Sequence, residues 1–178
     1  MTASFVVVSG LPGVGKTTVA TRLARRPQTP YVRVDLVEQT IVDWSSLSHP
    51  LGPVGYAVAY QLAGQQLTLG LDVVVECVNP IAETRDAWLS TAEAAGGALC
   101  DVELVCSDPD EHRRRVDSRA SDVAGLTKPR WSEVLGREYE PWTREHLVLD
   151  TSELSIDEVV DRIIGQLDGP RRRTPAPA

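Results

Sequence analysis

The eight residues Gly10-Leu11-Pro12-Gly13-Val14-Gly15-Lys16-Thr17 constrain this chain more than any others, because they match G-x-x-x-x-G-K-[ST] at every fixed position. That spacing has a chemical purpose when it joins a strand to a helix. Glycines let backbone N–H groups turn inward around phosphate oxygens, and the helix N-terminus adds partial positive charge. The flanks supply both elements. Phe5-Val6-Val7-Val8 is a β-branched apolar run that suits a buried parallel strand. Val19, Ala20, Leu23 and Ala24 recur at helical spacing and stop at Pro27. Lys16 is then placed to reach β- and γ-phosphates, and the Thr17 hydroxyl to ligate Mg²⁺. Gly10, Gly13, Val14, Gly15, Lys16, Thr17 and Thr18 are the expected nucleotide-binding residues. Lys16 is one of only two lysines in a chain that otherwise uses arginine, so its place in the motif is unlike a chance match.

Apolar β-type runs near 4–9, 31–34, 72–77, 101–106 and 146–149 alternate with helical segments. The pattern predicts a three-layer α/β/α fold around a five-stranded parallel sheet. Asn79-Pro80 is the expected N-cap and first turn of a helix that Gly96-Gly97 ends, and Asp108-Pro109 repeats the device. Ser155 and Glu158 form a capping box for a last helix with Ile156, Val159, Val160, Ile163, Ile164 and Leu167 on its apolar face. A helix over about 56–69 closes at Gly70. The loops 45–55 and 120–129 are expected to flank a cleft at the carboxyl ends of the strands. The 178 residues predict one domain over 1–168, with 169–178 a disordered tail.

The net charge of −7 speaks against a grip on long nucleic acid. Apolar segments are short, and no basic n-region precedes the first strand, so a cytoplasmic protein without a membrane span is expected. Cys77, Cys100 and Cys106 lack metal-ligand spacing, and Cys77 and Cys106 fall in or beside strand runs, which suits core cysteines in a reducing compartment. His49, His112 and His146 form no cluster, which argues against a structural metal. Trp44, Trp88, Trp131 and Trp142 suit core or interface positions.

Two acids end strands. Asp35, after Val32-Arg33-Val34, can accept a proton from an acceptor hydroxyl, hold Mg²⁺ through water, or cap the next helix. Glu38 is a second candidate one turn on. Glu76, after Val73-Val74-Val75, fits the Walker-B pattern of an apolar strand followed by an acid that orients Mg²⁺, although Asp is usual there. Arg85 is placed to reach back to an anionic substrate or phosphate, or to lie on a solvated face. Arg115 and Arg119 share one helix face and can stabilise phosphoryl-transfer charge. Asp110–Arg114 and Glu111–Arg115 are the surface pairs that compete for that helix's charges, and Arg113 is solvated. Lys128 and Arg130 are lesser candidates for the same site.

With these residues the chain resembles the small-kinase branch of P-loop NTPases, which includes gluconate, shikimate and adenylate kinases, chloramphenicol phosphotransferase and polynucleotide kinase. The resemblance covers about residues 4–167, and its closest look is an uncharacterised AAA-type kinase-like group. It implies ATP and Mg²⁺, with Asp35 at the acceptor hydroxyl and an arginine-bearing lid. Arg115 would stack on adenine, Arg119 would contact phosphates, and Thr151 and Ser152 would border the base. Glu138-Tyr139-Glu140-Pro141 resembles the Leu-Glu-Pro turn of gluconate kinases, whereas the residues that mark gluconate, shikimate or nucleotide acceptors are absent. The expected partners are a nucleoside triphosphate and a small hydroxylated acceptor, in a monomer or homodimer. A 5′-hydroxyl polynucleotide or nucleotide-sugar kinase, and an ATPase switch without acceptor, stay open as alternatives.

Overall fold

The computed structural model describes residues 2–26, 28–118 and 123–171. Five parallel strands build the sheet: β1 Ser4–Ser9, β2 Tyr31–Arg33, β3 Val73–Glu76, β4 Ala98–Val105 and β5 Leu147–Asp150, in the order β2-β3-β1-β4-β5. The helices are α1 Lys16–Arg25, α2 Val34–Asp43, α3 Val54–Thr68, α4 Ala82–Ala95, α5 Pro109–Ser118, α6 Trp131–Leu135 and α7 Ile156–Arg171.

β1 explains the layering. Its side chains alternate between two cores, as a strand period of two requires. Val6 and Val8 join Val19, Leu23, Leu104, Val160 and Ile163 under α1 and α7. Phe5 and Val7 join Ala59, Ala63, Val75, Trp88 and Ala92 under α3 and α4. Trp88 is fully buried, with its ring edge-on to Phe5 at 5.8 Å between centroids. Each fully buried valine contributes about 1.5–3 kcal/mol, so the central strand alone anchors both layers.

Register sets the functional edge. Val8 lies beside Glu76, Arg33 beside Glu76, and Val105 beside Asp150. The segments leaving the carboxyl ends of β1, β2, β3 and β5 therefore emerge together, as open α/β sheets require of a ligand site.

The expected strands are all present, with local corrections. β4 begins at Ala98 because the Ala98 N–H donates to Ala3 O at 2.8 Å, which pulls the chain into the sheet straight after Gly97. β2 stops at Arg33, whose extended backbone enters α2, so Asp35 lies inside the first helical turn and is not its cap. Asn79 does not cap α4 either. It adopts φ 57°, the helix starts at Ala82, and Glu140, 58 residues away, accepts from the Ala82 N–H at 2.7 Å. The other signals hold. Asp108 Oδ1 accepts from the Asp110 and Glu111 N–H groups, Ser155 and Glu158 form their box, and Gly96 ends α4 at φ 67°.

α7 runs to Arg171, past the Gly169-Pro170 pair at which the sequence suggests a tail; residues 172–178 lie outside the described ones. Trp44, at the end of α2, is 88% exposed and so is no core residue. Among the described residues no helix is long and apolar enough to cross a membrane, and no His, Cys, Asp and Glu group has a metal-site arrangement.

Candidate active site

A cleft of about 930 Å³ opens over the carboxyl edge of the sheet. One wall is the glycine loop with Pro12, Gly13, Gly15, Lys16, Thr17 and Thr18, next to Arg115. Arg33, Asp35, Glu38 and His49 also line the cleft, with Glu76 at its floor. Leu126, Thr127, Lys128, Pro129, Glu133, Val134 and Arg137 frame the mouth, so both loops expected at the cleft contribute to it. A smaller pocket of about 320 Å³, between Leu23, Ile164 and Leu167, lies at the amino-terminal edge of the sheet and is mostly apolar. It offers nothing to phosphoryl chemistry.

The floor is a carboxylate held from several sides. Glu76 is 2% exposed, and its Oε1 accepts from the Thr17 hydroxyl at 2.5 Å. Its Oε2 accepts from the Tyr31 hydroxyl, and Arg33 Nε stands 3.8 Å away. A buried carboxylate needs such partners, since desolvation otherwise disfavours its charge. Burial, followed by the nearby Glu76 charge, pushes the Tyr31 phenol well above its ordinary value, so Tyr31 remains a donor. Tyr31 and Arg33 carry no motif signal; their partnership with Glu76 comes from β2 pairing with β3.

Two hard oxygen ligands, the Thr17 hydroxyl and the Glu76 carboxylate, thus sit together beside the phosphate loop, a donor set that suits Mg²⁺. Lys16 is 8% exposed, and its ammonium donates to Leu11 O at 2.9 Å, folded along the loop it would serve.

Asp35 and Glu38 stand one turn apart on α2 and both line the cleft. Burial, followed by the Asp35 charge, raises the Glu38 carboxyl above its ordinary value, while His49 and Arg137 pull it down. Gly55 at the start of α3 makes room for the Glu38 side chain, where any Cβ would collide with it.

The nucleotide-side residues have structural partners of their own. The Gly10 N–H donates to Val78 O at 3.2 Å, so it anchors the loop to the segment after β3 and is not directed at a ligand. Val14 is 2% exposed and packs in the α1–α7 core. Thr151 is buried, with its hydroxyl 3.0 Å from both Val14 O and Val105 O. Ser152 donates to Asp150 from both its backbone N–H and its hydroxyl. Slight burial raises the Asp150 carboxyl, but the Ser107 and Ser152 donors outweigh it and hold it at about 2. Arg115 lines the cleft yet is engaged, its guanidinium on Glu111 at 2.7 Å, Thr151 Oγ1 at 2.8 Å and Thr151 O at 2.9 Å. Arg119 lies outside the described residues, so the arginine lid is unconfirmed. Arg114 pairs with Glu111 in place of the expected Asp110.

Arg85 is the clearest departure from the sequence reading. It is 3% exposed and donates to the carbonyls of Asn79, Pro80, Glu140 and Pro141, with its guanidinium 4.3 Å from the Trp142 ring centre. Its role is to clamp the 139–142 turn against the start of α4, away from the cleft. Arg130 is exposed and does not line the cleft, its backbone N–H donating to Glu133 at the start of α6, whereas Lys128 does line it.

Residues 5–135 match the AAA domain family model, and the chain belongs to that family, a P-loop kinase family. It is 27% identical over 172 residues to a protein of Aeropyrum pernix named as a probable adenylyl-sulfate kinase, covering 87% of each chain. In fold it is similar to the Mycobacterium tuberculosis APS kinase solved with AMPPNP and APS, with a TM-score of 0.70 and 21% identity, covering 94% of this chain and 98% of that one. It is also similar to a gluconokinase from Sinorhizobium meliloti 1021, with a TM-score of 0.62 and 21% identity over 93% and 92% of the two chains.

Proposed function

We propose that this protein is an ATP- and Mg²⁺-dependent phosphotransferase that moves the γ-phosphoryl group to a hydroxyl of a small molecule. The observation that carries the reading is that one cleft holds the glycine loop with Lys16 and Thr17, the buried Glu76, and the acid pair Asp35 and Glu38. A donor loop and an acceptor-side base sharing a cavity of this size suit transfer between two small substrates. The names of the relatives, which include an adenylyl-sulfate kinase and a gluconokinase, support a small hydroxylated acceptor.

In this reading the acceptor hydroxyl oxygen attacks the γ-phosphorus, the bond from that phosphorus to the β–γ bridging oxygen breaks, and ADP leaves. The hydroxyl proton passes to the Asp35 carboxylate. Lys16 exchanges its bond to Leu11 O for phosphate oxygens, and Arg115 and Arg119 stabilise charge on the transferring group. Mg²⁺, when bound, neutralises charge on the β- and γ-phosphates; Thr17 and Glu76 would hold it, with Asp35 a further candidate. Glu38 fixes a second polar group of the acceptor beside the reacting hydroxyl. The loops 45–55 and 123–130 exclude water from the reacting centre.

Asp35→Asn tests the assignment, because it removes the base and leaves the donor loop intact. Transfer should fall about 100-fold or more, the range of a lost general base, with nucleotide affinity unchanged. Full transfer by the folded variant would remove Asp35 from the mechanism.

A further inference from the structure

The phosphate loop is braced from behind by side chains that lie outside its motif. His112 is buried on α5, and its Nε2 is 2.8 Å from Pro12 O. A carbonyl oxygen only accepts, so that nitrogen carries the proton and donates. The imidazole also stands against Gly13, where an added Cβ would lie 3.2 Å from His112 Cδ2, and meets Trp131 of α6 edge-on at 5.0 Å between centroids. Pro12 and Gly13 line the cleft, whereas His112 is packed behind them.

In a planar trans peptide the carbonyl and the following N–H point to opposite sides. A Pro12 carbonyl drawn back onto His112 therefore turns the Gly13 N–H forward, toward the cleft. The same logic operates two residues on. The Thr151 hydroxyl stands 3.0 Å from both Val14 O and Val105 O and is supported by Arg115 at 2.8 Å; when its one proton goes to Val14 O, it orients the Gly15 N–H. His112 and Arg115 lie three residues apart on one face of α5. One helix thus sets one of the loop's peptide planes directly and reaches a second through Thr151.

We propose that His112 is a positioning residue for phosphate binding: by donating to Pro12 O it aims the Gly13 amide at the bound phosphates, and through Trp131 it ties that aim to α6. This rests on reading residues 10–17 as the donor site of the proposed phosphotransferase, but it needs no acceptor to test.

The experiment measures ADP and adenosine binding to the full chain by calorimetry, for wild type, His112→Leu and His112→Gln. Adenosine lacks the phosphates and serves as the internal control. His112→Leu should weaken ADP by about 10-fold, the upper range for one hydrogen bond, and leave adenosine unchanged. His112→Gln, whose amide can donate from a similar reach, should recover most of the loss. If His112→Leu does not fold, His112→Asn, with a donor too short to reach Pro12, should show the same selective loss. Equal weakening of ADP and adenosine, or wild-type ADP affinity in folded His112→Leu or His112→Asn, would overturn the proposal and leave the phosphotransferase reading standing. Absence of ADP binding in the wild type would overturn both.

Discussion

The Thr17 hydroxyl donates to Glu76 Oε1 across 2.5 Å, joining the end of the phosphate loop to the end of β3 over 59 residues of chain. In the proposed reading the two positions supply the hydroxyl and the acid that would hold Mg²⁺, and β1–β3 pairing brings them together. Glu76→Gln keeps the shape and one of the two acceptor oxygens but removes the charge. It should lower kcat by about 100-fold or more, because electrostatic stabilisation of the transferring group is lost, while metal-free ADP binding stays within about twofold. Steady-state kinetics and calorimetry on the same variant check both halves. A kcat near wild type would mean that Glu76 serves only to satisfy Thr17 and Tyr31.

Glu38 links stability to pH. Its carboxyl is raised in the folded state, so the fold binds this proton more tightly than the unfolded chain does. The associated stability is fully present below the ordinary carboxylate value and is lost as pH rises through the raised one. Glu38→Gln imitates the protonated form. It should therefore raise the melting temperature at about pH 7 and leave it nearly unchanged at about pH 4, while impairing acceptor use. An equal gain at both pH values would mean that Glu38 titrates normally.

Arg85 should matter to folding and not to substrate. It is buried against four carbonyls and the Trp142 ring. Arg85→Ala removes the guanidinium from those carbonyls, of which Pro80 O keeps the Glu140 N–H, and should cost about 2–4 kcal/mol in denaturant unfolding. The folded fraction should keep the acceptor KM. A raised acceptor KM without lost stability would restore Arg85 to the substrate site.

Gly13 has φ 91°, and an added Cβ would meet Val116 Cγ2 at 2.5 Å and the His112 ring. Gly13→Ala should cost about 1–2 kcal/mol for the left-handed backbone, plus the clash, and should abolish nucleotide binding before it unfolds the chain. Thermal melts with and without ADP distinguish these effects, since the variant should lose the ligand-induced shift that the wild type shows.

What the sequence made legible follows from how local each signal is. The glycine loop, the strand runs and the Ser155–Glu158 box are short-range patterns, and the structure contains all three. Glu76 was legible because a buried strand ending in an acid is itself unusual. Arg85 was misread because its partners, Glu140 and Pro141, lie 55 and 56 residues away, and spacing along one helix cannot reveal them. Asn79 was misread for a related reason, since Glu140 supplies the cap from 58 residues away and leaves Asn79 free to bond Ser9. His112 looked like one residue of an arginine-rich helix until α5 was seen to pack on Pro12, 100 residues earlier.

The most direct test of the account is transfer of label from γ-labelled ATP with Mg²⁺ to a panel of sugars, sugar acids, nucleosides, adenylyl sulfate, aminocyclitols and a 5′-hydroxyl oligonucleotide, with Lys16→Ala run alongside. The account predicts that label moves to a small hydroxylated acceptor in the wild type and not in folded Lys16→Ala. Label released only as inorganic phosphate, or equal transfer by the folded Lys16→Ala protein, would contradict it.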